Sequence, residues 1–299
     1  MRRLLVVFVI VLLLGVAQAA DKTGPRVYIS VDMEGIWGVV HGNQTSSESP
    51  EFGPARKWMA EDVNAVIAGL FDGGAAEVVV NDSHGSMRNI MADALDPRAS
   101  LISGTPKPLS MMQGIDGTFD ACVFVGYHAR AGTASAILDH TISGGVVRAI
   151  RVNGQEMPEL GLNAAIAGYF KVPVIMLTGD TETCAQAKSI LGDTLVTVAV
   201  KEAQGRYAAK NLPQDEARKR LREGAREALQ KKAQVAAFRL NPPFKFELEV
   251  NTSAQAELPT LIYLVKRTTP RTVEFSSDDY LVGFKLLRAL IALAGISYN

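Results

Sequence analysis

The chain has 299 residues, 47% of them hydrophobic and 21% charged, and its 31 basic and 31 acidic residues give a formal net charge of zero. This composition is typical of a globular protein and excludes an intrinsically disordered chain. Lys and Arg form no long block, which argues against a nucleic-acid partner and against a polybasic membrane-binding segment.

The first 19 residues have the pattern of a secretory signal peptide. Arg2 and Arg3 precede an apolar run over residues 4–17, and Ala17 and Ala19 are the small residues that a signal peptidase cuts after. The run is shorter than the roughly 20 residues that span a bilayer. We therefore favour cleavage near Ala19 over a stable membrane anchor, and we expect a periplasmic or secreted mature chain.

The next stretch, residues 26–35, alternates apolar and polar residues as a β-strand does. Val27 to Met33 give four apolar positions on one face, and Asp32 and Glu34 share the other face, about 7 Å apart along the strand. Two carboxylates so close repel each other unless a positive charge lies between them. A divalent cation would supply that charge; a strand edge that simply reaches solvent is the alternative.

The following elements alternate between helices and short apolar strands, and several strands end in polar residues. The predicted elements are a helix from Pro54 to Gly73-Gly74, a strand at 77–81, a short helix at 87–95, a strand at 121–126, a hairpin around Asn153-Gly154, a helix from Pro158 to Tyr169, and strands at 173–177 and 195–200. This order predicts an α/β fold with a largely parallel sheet flanked by helices over residues 26–200.

The composition changes near Lys201, and the remaining pattern predicts a smaller α+β domain over residues 201–299. Its predicted elements are an amphipathic helix at 214–232, strands at 244–250, 261–265 and 272–275, and an apolar helix at 278–294.

Ligand-type side chains follow three of the predicted parallel strands. Asp32 and Glu34 follow the first, His84 the second and His128 the third. Ligands bind outside the carboxyl ends of such strands, and imidazole with carboxylate suits zinc or another transition metal. A single histidine at a strand end is usually structural, but the combination favours a metal site. Glu159, at a helix start, is either a helix-dipole carboxylate or a further ligand.

Other chemistries find less support in the sequence. Cys122 and Cys184 form no CxxC pair or cluster, which excludes a thiolate zinc site, and we favour two buried, unpaired cysteines over a disulfide. The chain has no GxSxG nucleophile elbow and no phosphate or dinucleotide loop.

Five motifs together resemble the zinc-dependent D-aminopeptidases of the DppA type. They are SVDMEG at 30–35, NDSHG at 81–85, GYHAR at 126–130, DH at 139–140 and ELGLNA at 159–164. The resemblance implies two zinc ions per subunit, with Asp32 bridging them and Glu34, His84, His128 and Glu159 completing their ligand sets. It also implies His140 as the catalytic residue and a ring-shaped homo-oligomer.

These observations lead to the hypothesis of a dinuclear zinc aminopeptidase that hydrolyses N-terminal D-amino acids, of the D-Ala type, from short peptides. One alternative is another two-metal hydrolase such as a phosphoesterase, for which Arg130 is the candidate phosphate-binding cation. The second alternative is a non-enzymatic periplasmic peptide-binding protein, which would need no metal.

Overall fold

Two β-sheets organise residues 23–296, the part of the chain that the computed structural model describes. The strands are β1 (Arg26–Val31), β2 (Glu77–Asp82), β3 (Ser100–Ile102), β4 (Ala121–Val125), β5 (Val147–Val152), β6 (Gln155–Glu156), β7 (Val174–Asp180), β8 (Val196–Gly205), β9 (Ala208–Asn211), β10 (Phe244–Val250), β11 (Lys266–Thr269) and β12 (Thr272–Ser277). The helices are α1 (Gly42–Thr45), α2 (Phe52–Asp72), α3 (Glu159–Tyr169), α4 (Thr181–Leu191), α5 (Gln214–Gln230) and α6 (Tyr280–Ala294).

The first sheet has the order β3-β2-β1-β4-β7-β8-β9, and all its pairs are parallel except β8 with β9. The chain builds outward from β1 through β2 to β3, and then returns to the other side of β1 to add β4. The order therefore reverses between β1 and β4, and such a switch point opens a crevice at the carboxyl ends of the two strands.

The apolar alternation of β1 places two cores on opposite faces of this sheet. Val27, Ile29 and Val31 pack with α2 and α5 on one face, whereas Tyr28 packs with the hydrophobic residues of α3 and α6 on the other. Both faces of the central strands are thus covered, as parallel sheets require.

The second sheet is antiparallel, with the order β11-β12-β10-β5-β6, and it packs with α6 on the side of α3. Its strand β10 buries Phe244, Phe246, Leu248 and Val250 in alternation, as the sequence predicts. The hairpin predicted at Asn153-Gly154 joins β5 to β6, and α2 ends at Gly73 as predicted. The largely parallel, helix-flanked sheet of the α/β prediction is confirmed.

Two local predictions are wrong. Residues 87–95 form a loop with one 3-10 turn at Ala92–Ala94 instead of a short helix. The amides of Asn89 and Ile90 donate hydrogen bonds to the Asp82 carboxylate, which stabilises a non-helical backbone there. Residues 261–265 are not a strand, since a 3-10 turn at Leu258–Leu261 precedes them and the strand begins only at Lys266.

The predicted division at residue 200 stays a prediction. That position lies inside β8, and the second sheet takes β5 and β6 from before it and β10 to β12 from after it. The predicted signal peptide, residues 1–19, lies outside the described residues. Within residues 23–296, no helix combines the length and the apolar composition needed to cross a bilayer.

Candidate metal centre

Strand ends at the switch point place the acidic and imidazole side chains next to each other. Asp32 directly follows β1, and its amide donates to the Val125 carbonyl at the end of β4, at 2.8 Å. His84 follows β2 and His128 follows β4, the two neighbours of β1. Glu159 is the first residue of α3 and is almost fully buried.

The turn that carries Glu34 is held by a buried lysine from β8. The Lys201 ammonium is 2% exposed and donates hydrogen bonds to the carbonyls of Glu34, Ile36 and Val39. Burial lowers the pKa of Lys201 to about 7, although the carboxylates of Asp180, Asp62 and Glu34 oppose that shift. The lysine therefore fixes the backbone of the turn and leaves the Glu34 side chain free to face the histidines.

The imidazoles and carboxylates meet at contact distance. Nδ1 of His84 lies 3.1 Å from Oδ1 of Asp32 and 3.1 Å from Oε2 of Glu34. Nε2 of His128 lies 3.4 Å from Oδ2 of Asp32 and 3.2 Å from Oε1 of Glu159. Asp32 thus faces one histidine with each of its two oxygens.

His140 is stacked on His128, with ring centroids 3.9 Å apart, and its Nε2 lies 3.7 Å from Oε1 of Glu159. The loop before it is anchored by Asp180, whose carboxylate accepts from the Ile137 amide at 2.7 Å and caps α4. The structure therefore brings together all six side chains that the sequence singles out: Asp32, Glu34, His84, His128, His140 and Glu159. The fourth histidine, His41, instead caps α1.

In each of the three histidines, the ring nitrogen that points away from the carboxylates lies within hydrogen-bond distance of a backbone carbonyl. Nε2 of His84 lies 2.9 Å from the Thr45 carbonyl, Nδ1 of His128 lies 3.0 Å from that of Ala129, and Nδ1 of His140 lies 2.8 Å from that of Leu138. A carbonyl only accepts, so these nitrogens carry the hydrogen. In the neutral imidazole, the ring nitrogen that faces the carboxylates then holds the lone pair, which is the orientation of metal-ligating histidines.

The chemistry of this donor set fits zinc. Oε2 of Glu34 and Nε2 of His128 are buried and have no hydrogen-bond partner within the described part of the chain, and such orphaned atoms are costly unless something satisfies them. One ligand atom each from Asp32, Glu34 and His128 lies within 4.8 Å of the others, and the same holds for His128, His140 and Glu159. Ligands about 2.0–2.2 Å from one tetrahedral zinc ion lie at comparable separations.

The charges in the centre support each other's ionised forms. Burial opposes ionisation, but the Glu34 and Asp32 carboxylates raise the pKa of His84 well above its usual value, and Glu159 and Asp32 do the same for His128. Burial also opposes ionisation of Glu159, yet His128 and His140 lower its pKa to about 2. The raised pKa values favour a proton on Nδ1 of His84 and on Nε2 of His128 in the absence of metal, and a bound cation would replace those protons.

A cavity opens beside the centre. Its walls include Asp32, His84, His140 and Glu159, together with Phe284 and Arg288 of α6. Sequence reasoning missed Arg288. A detectable signal existed, because Arg288 lies four residues after Phe284 and three before Ile291, and so interrupts the buried stripe of an apolar helix.

Two other predictions concern residues outside the centre. Cys122 and Cys184 are buried and free, as predicted. Arg130, the candidate phosphate-binding cation, donates to Glu156 at 2.9 Å and to the Ala131 carbonyl at 3.1 Å. One nitrogen of its guanidinium, Nη1, is therefore already bonded to protein groups.

Comparison with known proteins agrees with this geometry. Residues 26–289 match the sequence profile of peptidase M55, described as D-aminopeptidase. A D-aminopeptidase from Bacillus subtilis strain 168 is 38% identical over 272 residues, which are 90% of this chain and 97% of that protein. A solved structure described as "Zn-dependent D-aminopeptidase DppA from Bacillus subtilis, a self-compartmentalizing protease" superposes with a TM-score of 0.89 at 36% identity, covering 92% of this chain and 99% of that one. The chain therefore belongs to the M55 peptidase family, the D-aminopeptidases.

Proposed function

We propose that this protein is a zinc-dependent aminopeptidase that removes N-terminal D-amino acids from short peptides. The observation that carries the proposal is the buried cluster in which imidazole nitrogens face carboxylates at 3.1–3.4 Å, in a chain of the D-aminopeptidase family. The reaction is peptide hydrolysis, which makes the protein a metallopeptidase.

The centre would hold two zinc ions, with Asp32 shared between them. In support, the two oxygens of Asp32 face different histidines, His84 and His128. Glu34 lies beside His84, and Glu159 lies beside His128, so each half of the centre has its own histidine and its own glutamate. When bound, zinc supplies the positive charge that polarises the scissile carbonyl and lowers the pKa of water.

His140 is the proposed catalytic residue. It is less buried than His128, lines the cavity, and holds its Nδ1 hydrogen on the Leu138 carbonyl at 2.8 Å. Its Nε2 is therefore the nitrogen that can take a proton and deliver it to the leaving amine. The Glu159 carboxylate, 3.7 Å away, would stabilise the protonated form.

The free α-amino group of a substrate explains why cleavage would occur at the amino end of a peptide. Three carboxylates, Asp32, Glu34 and Glu159, line the centre, and they would offset part of the positive charge that two zinc ions bring. A free α-amino group would pair with one of them or bind the metal. D-Ala peptides, such as those released from bacterial cell walls, are the proposed substrates.

A substrate panel tests the function. Purified mature protein with zinc should release alanine from D-Ala-D-Ala much faster than from L-Ala-L-Ala, and a chelator should abolish the release. A zinc-loaded protein that cleaves neither peptide would contradict the peptidase proposal. Hydrolysis of a phosphate ester under the same conditions would favour the phosphoesterase alternative, and a protein that binds peptides without any metal would favour the binding-protein alternative.

We also propose that the mature chain is periplasmic or secreted, because residues 1–19 have the composition of a signal peptide. Mass spectrometry of the N-terminus in cell fractions would test this, and a cytosolic protein retaining Met1 would contradict it.

Self-assembly, as a ring-shaped homo-oligomer, is a further part of the proposal. It is supported by the description of the relative as self-compartmentalizing and by the strongly exposed apolar residues Leu261, Tyr263 and Leu264.

A further inference from the structure

Arg288 of α6 lines the same cavity as the proposed zinc ligands Asp32, His84 and Glu159. The cavity wall also contains apolar residues, among them Leu162 and Phe284. A ligand that fills this cavity can therefore contact both the metal centre and Arg288.

Arg288 has no protein partner among the described residues. It is half-buried on the stripe of α6 that also buries Phe284 and Ile291, yet it makes no hydrogen bond or ion pair there. Burial lowers its pKa and the Glu159 carboxylate opposes that lowering, but a guanidinium stays charged in proteins. Other arginines near the site are paired: Arg130 with Glu156 and Arg206 with Asp139.

A half-buried guanidinium without a hydrogen-bond partner destabilises the fold unless a ligand binds to it. Leu or Met at position 288 would continue the apolar stripe of α6 without the desolvation cost. The five N–H donors of arginine match a carboxylate or phosphate in a planar, two-bond geometry. The cavity beside the metal centre therefore contains a site for an anion at Arg288.

We propose that Arg288 binds the C-terminal carboxylate of a short peptide whose N-terminal residue lies at the metal centre. This inference rests on the proposed aminopeptidase function and makes it more specific. The metal centre would hold the amino end and Arg288 the carboxylate end, so the enzyme selects peptides short enough to reach both. Arg288 is thus a specificity-determining residue, and it takes no part in the chemical step.

Such a contact forms in the bound substrate and persists in the transition state, so its loss raises KM and leaves kcat nearly unchanged. A charge-assisted hydrogen-bonded pair is worth a factor of roughly 10 to 100 in binding. We expect Arg288→Met to raise KM for D-Ala-D-Ala by about that factor. KM for the C-terminal amide, D-Ala-D-Ala-NH2, should change less than about threefold, because the amide has no anionic group for Arg288 to bind.

Two further variants sharpen the comparison. Arg288→Lys keeps the charge and loses the planar fork, so its KM should lie between those of the wild type and Arg288→Met. Lys285→Met is the matched control, because Lys285 is exposed one turn earlier on α6 and its loss makes the same change in net charge. It should keep the wild-type ratio of KM values for acid and amide.

A second measurement is independent of turnover. A reduced-amide analogue of D-Ala-D-Ala, in which CH2–NH replaces the scissile amide, cannot be hydrolysed, and calorimetry gives its Kd as the free acid and as the amide. The wild type should favour the acid by about 10-fold or more, and Arg288→Met should lose that preference. Equal Kd values for acid and amide in the wild type would overturn the proposal, as would an equal loss of kcat on both substrates in Arg288→Met.

These outcomes separate the inference from the proposed function. A wild type that cleaves acid and amide equally well remains an aminopeptidase without a carboxylate site. A wild type that cleaves neither contradicts the proposed function. The calorimetric Kd values of the acid and the amide then show whether Arg288 binds a carboxylate. Turnover of p-nitrophenyl phosphate that requires Arg288 would assign the site to a phosphate and overturn the peptide proposal.

Discussion

Asp32 is the residue on which both halves of the proposed two-zinc centre would depend, because its two oxygens face His84 and His128 separately. In Asp32→Asn the side chain loses its charge, and an amide nitrogen replaces one of the ligand oxygens. We expect zinc content to fall from two ions per subunit to less than one, measured by elemental analysis after dialysis. Asp193→Asn is a suitable control, because Asp193 is exposed. Undiminished zinc in Asp32→Asn would contradict the bridging role.

His140 has a different relation to the centre, since its Nε2 lies 3.7 Å from Glu159, its ring is stacked on His128, and it lines the cavity. His140→Ala should keep its zinc but lower kcat by about 100- to 10,000-fold, the usual effect of removing a general acid or base. Elemental analysis and steady-state kinetics on the same preparation check both parts. Loss of zinc from this variant would instead identify His140 as a metal ligand.

In the proposed metal centre, protons and zinc would compete for the same nitrogens of His84 and His128. In the metal-free protein the pKa values of His84 and His128 are raised, so these groups stabilise the fold below about pH 6.5, the value of an unfolded histidine. That stability is lost as pH rises through the raised values. The pKa of Glu159 is lowered to about 2, so its contribution is lost only as pH falls from about 4 towards 2.

Zinc should therefore stabilise the protein most at the higher pH values, at which His84 and His128 bind fewer protons. We expect the increase in Tm on adding zinc to be several degrees larger at pH 8 than at pH 5. Thermal unfolding with and without zinc at the two pH values measures this difference. The same increase at both pH values would show that zinc does not displace protons from these histidines.

At the scale of elements, the centre depends on how closely the turn after β1 approaches the end of β4. The Gly35 amide donates to the Gly126 carbonyl at 2.8 Å, and a Cβ at Gly35 would lie 2.0 Å from the Tyr127 carbonyl oxygen. Gly35→Ala must push the two chain segments apart and with them Glu34 and His128. We expect a loss of about 3 kcal/mol in the free energy of unfolding, measured with urea, together with weaker zinc binding. Gly42→Ala, where a Cβ meets nothing within 4 Å, should change neither.

The elements also show which parts of the structure follow from local sequence. The alternation over residues 26–34 determines which side chains share a face of β1, and parallel strands end at one edge, so Asp32, His84 and His128 were expected to meet. The apolar run at 261–265 fits a strand equally well, but whether it pairs depends on neighbours distant in the chain. The sequence shows Arg288 as an interruption of the apolar stripe of α6, but its place at the cavity depends on how α6 packs against the rest of the fold.

At the scale of the whole molecule, the segment 261–264 exposes more apolar surface than is usual for an isolated subunit. Tyr263 is 97% exposed, and Leu261 and Leu264 are exposed beside it, although all three are residues that usually avoid water. Leu261 is the last residue of a 3-10 turn, and the segment lies outside both sheets. Ile262 packs against the core, so the fold of one subunit accounts for that residue but not for the three exposed ones. Contact with a second copy of the chain would account for it, in agreement with the proposed homo-oligomer.

If this segment lies in a subunit interface, polar residues there should dissociate the assembly and leave the subunit folded. We expect the double variant Tyr263→Ser, Leu264→Ser to have a lower mass than the wild type in light scattering coupled to gel filtration, because truncating a central aromatic residue of an interface costs about 2 kcal/mol or more. Its far-UV circular dichroism should be unchanged, because the replaced side chains have no core contacts to lose. Tyr207→Ser, which removes an aromatic residue that is 54% exposed on another part of the surface, should keep the wild-type mass. An unchanged mass for the double variant would exclude residues 261–264 from the interface, and a monomeric wild type would contradict self-assembly altogether.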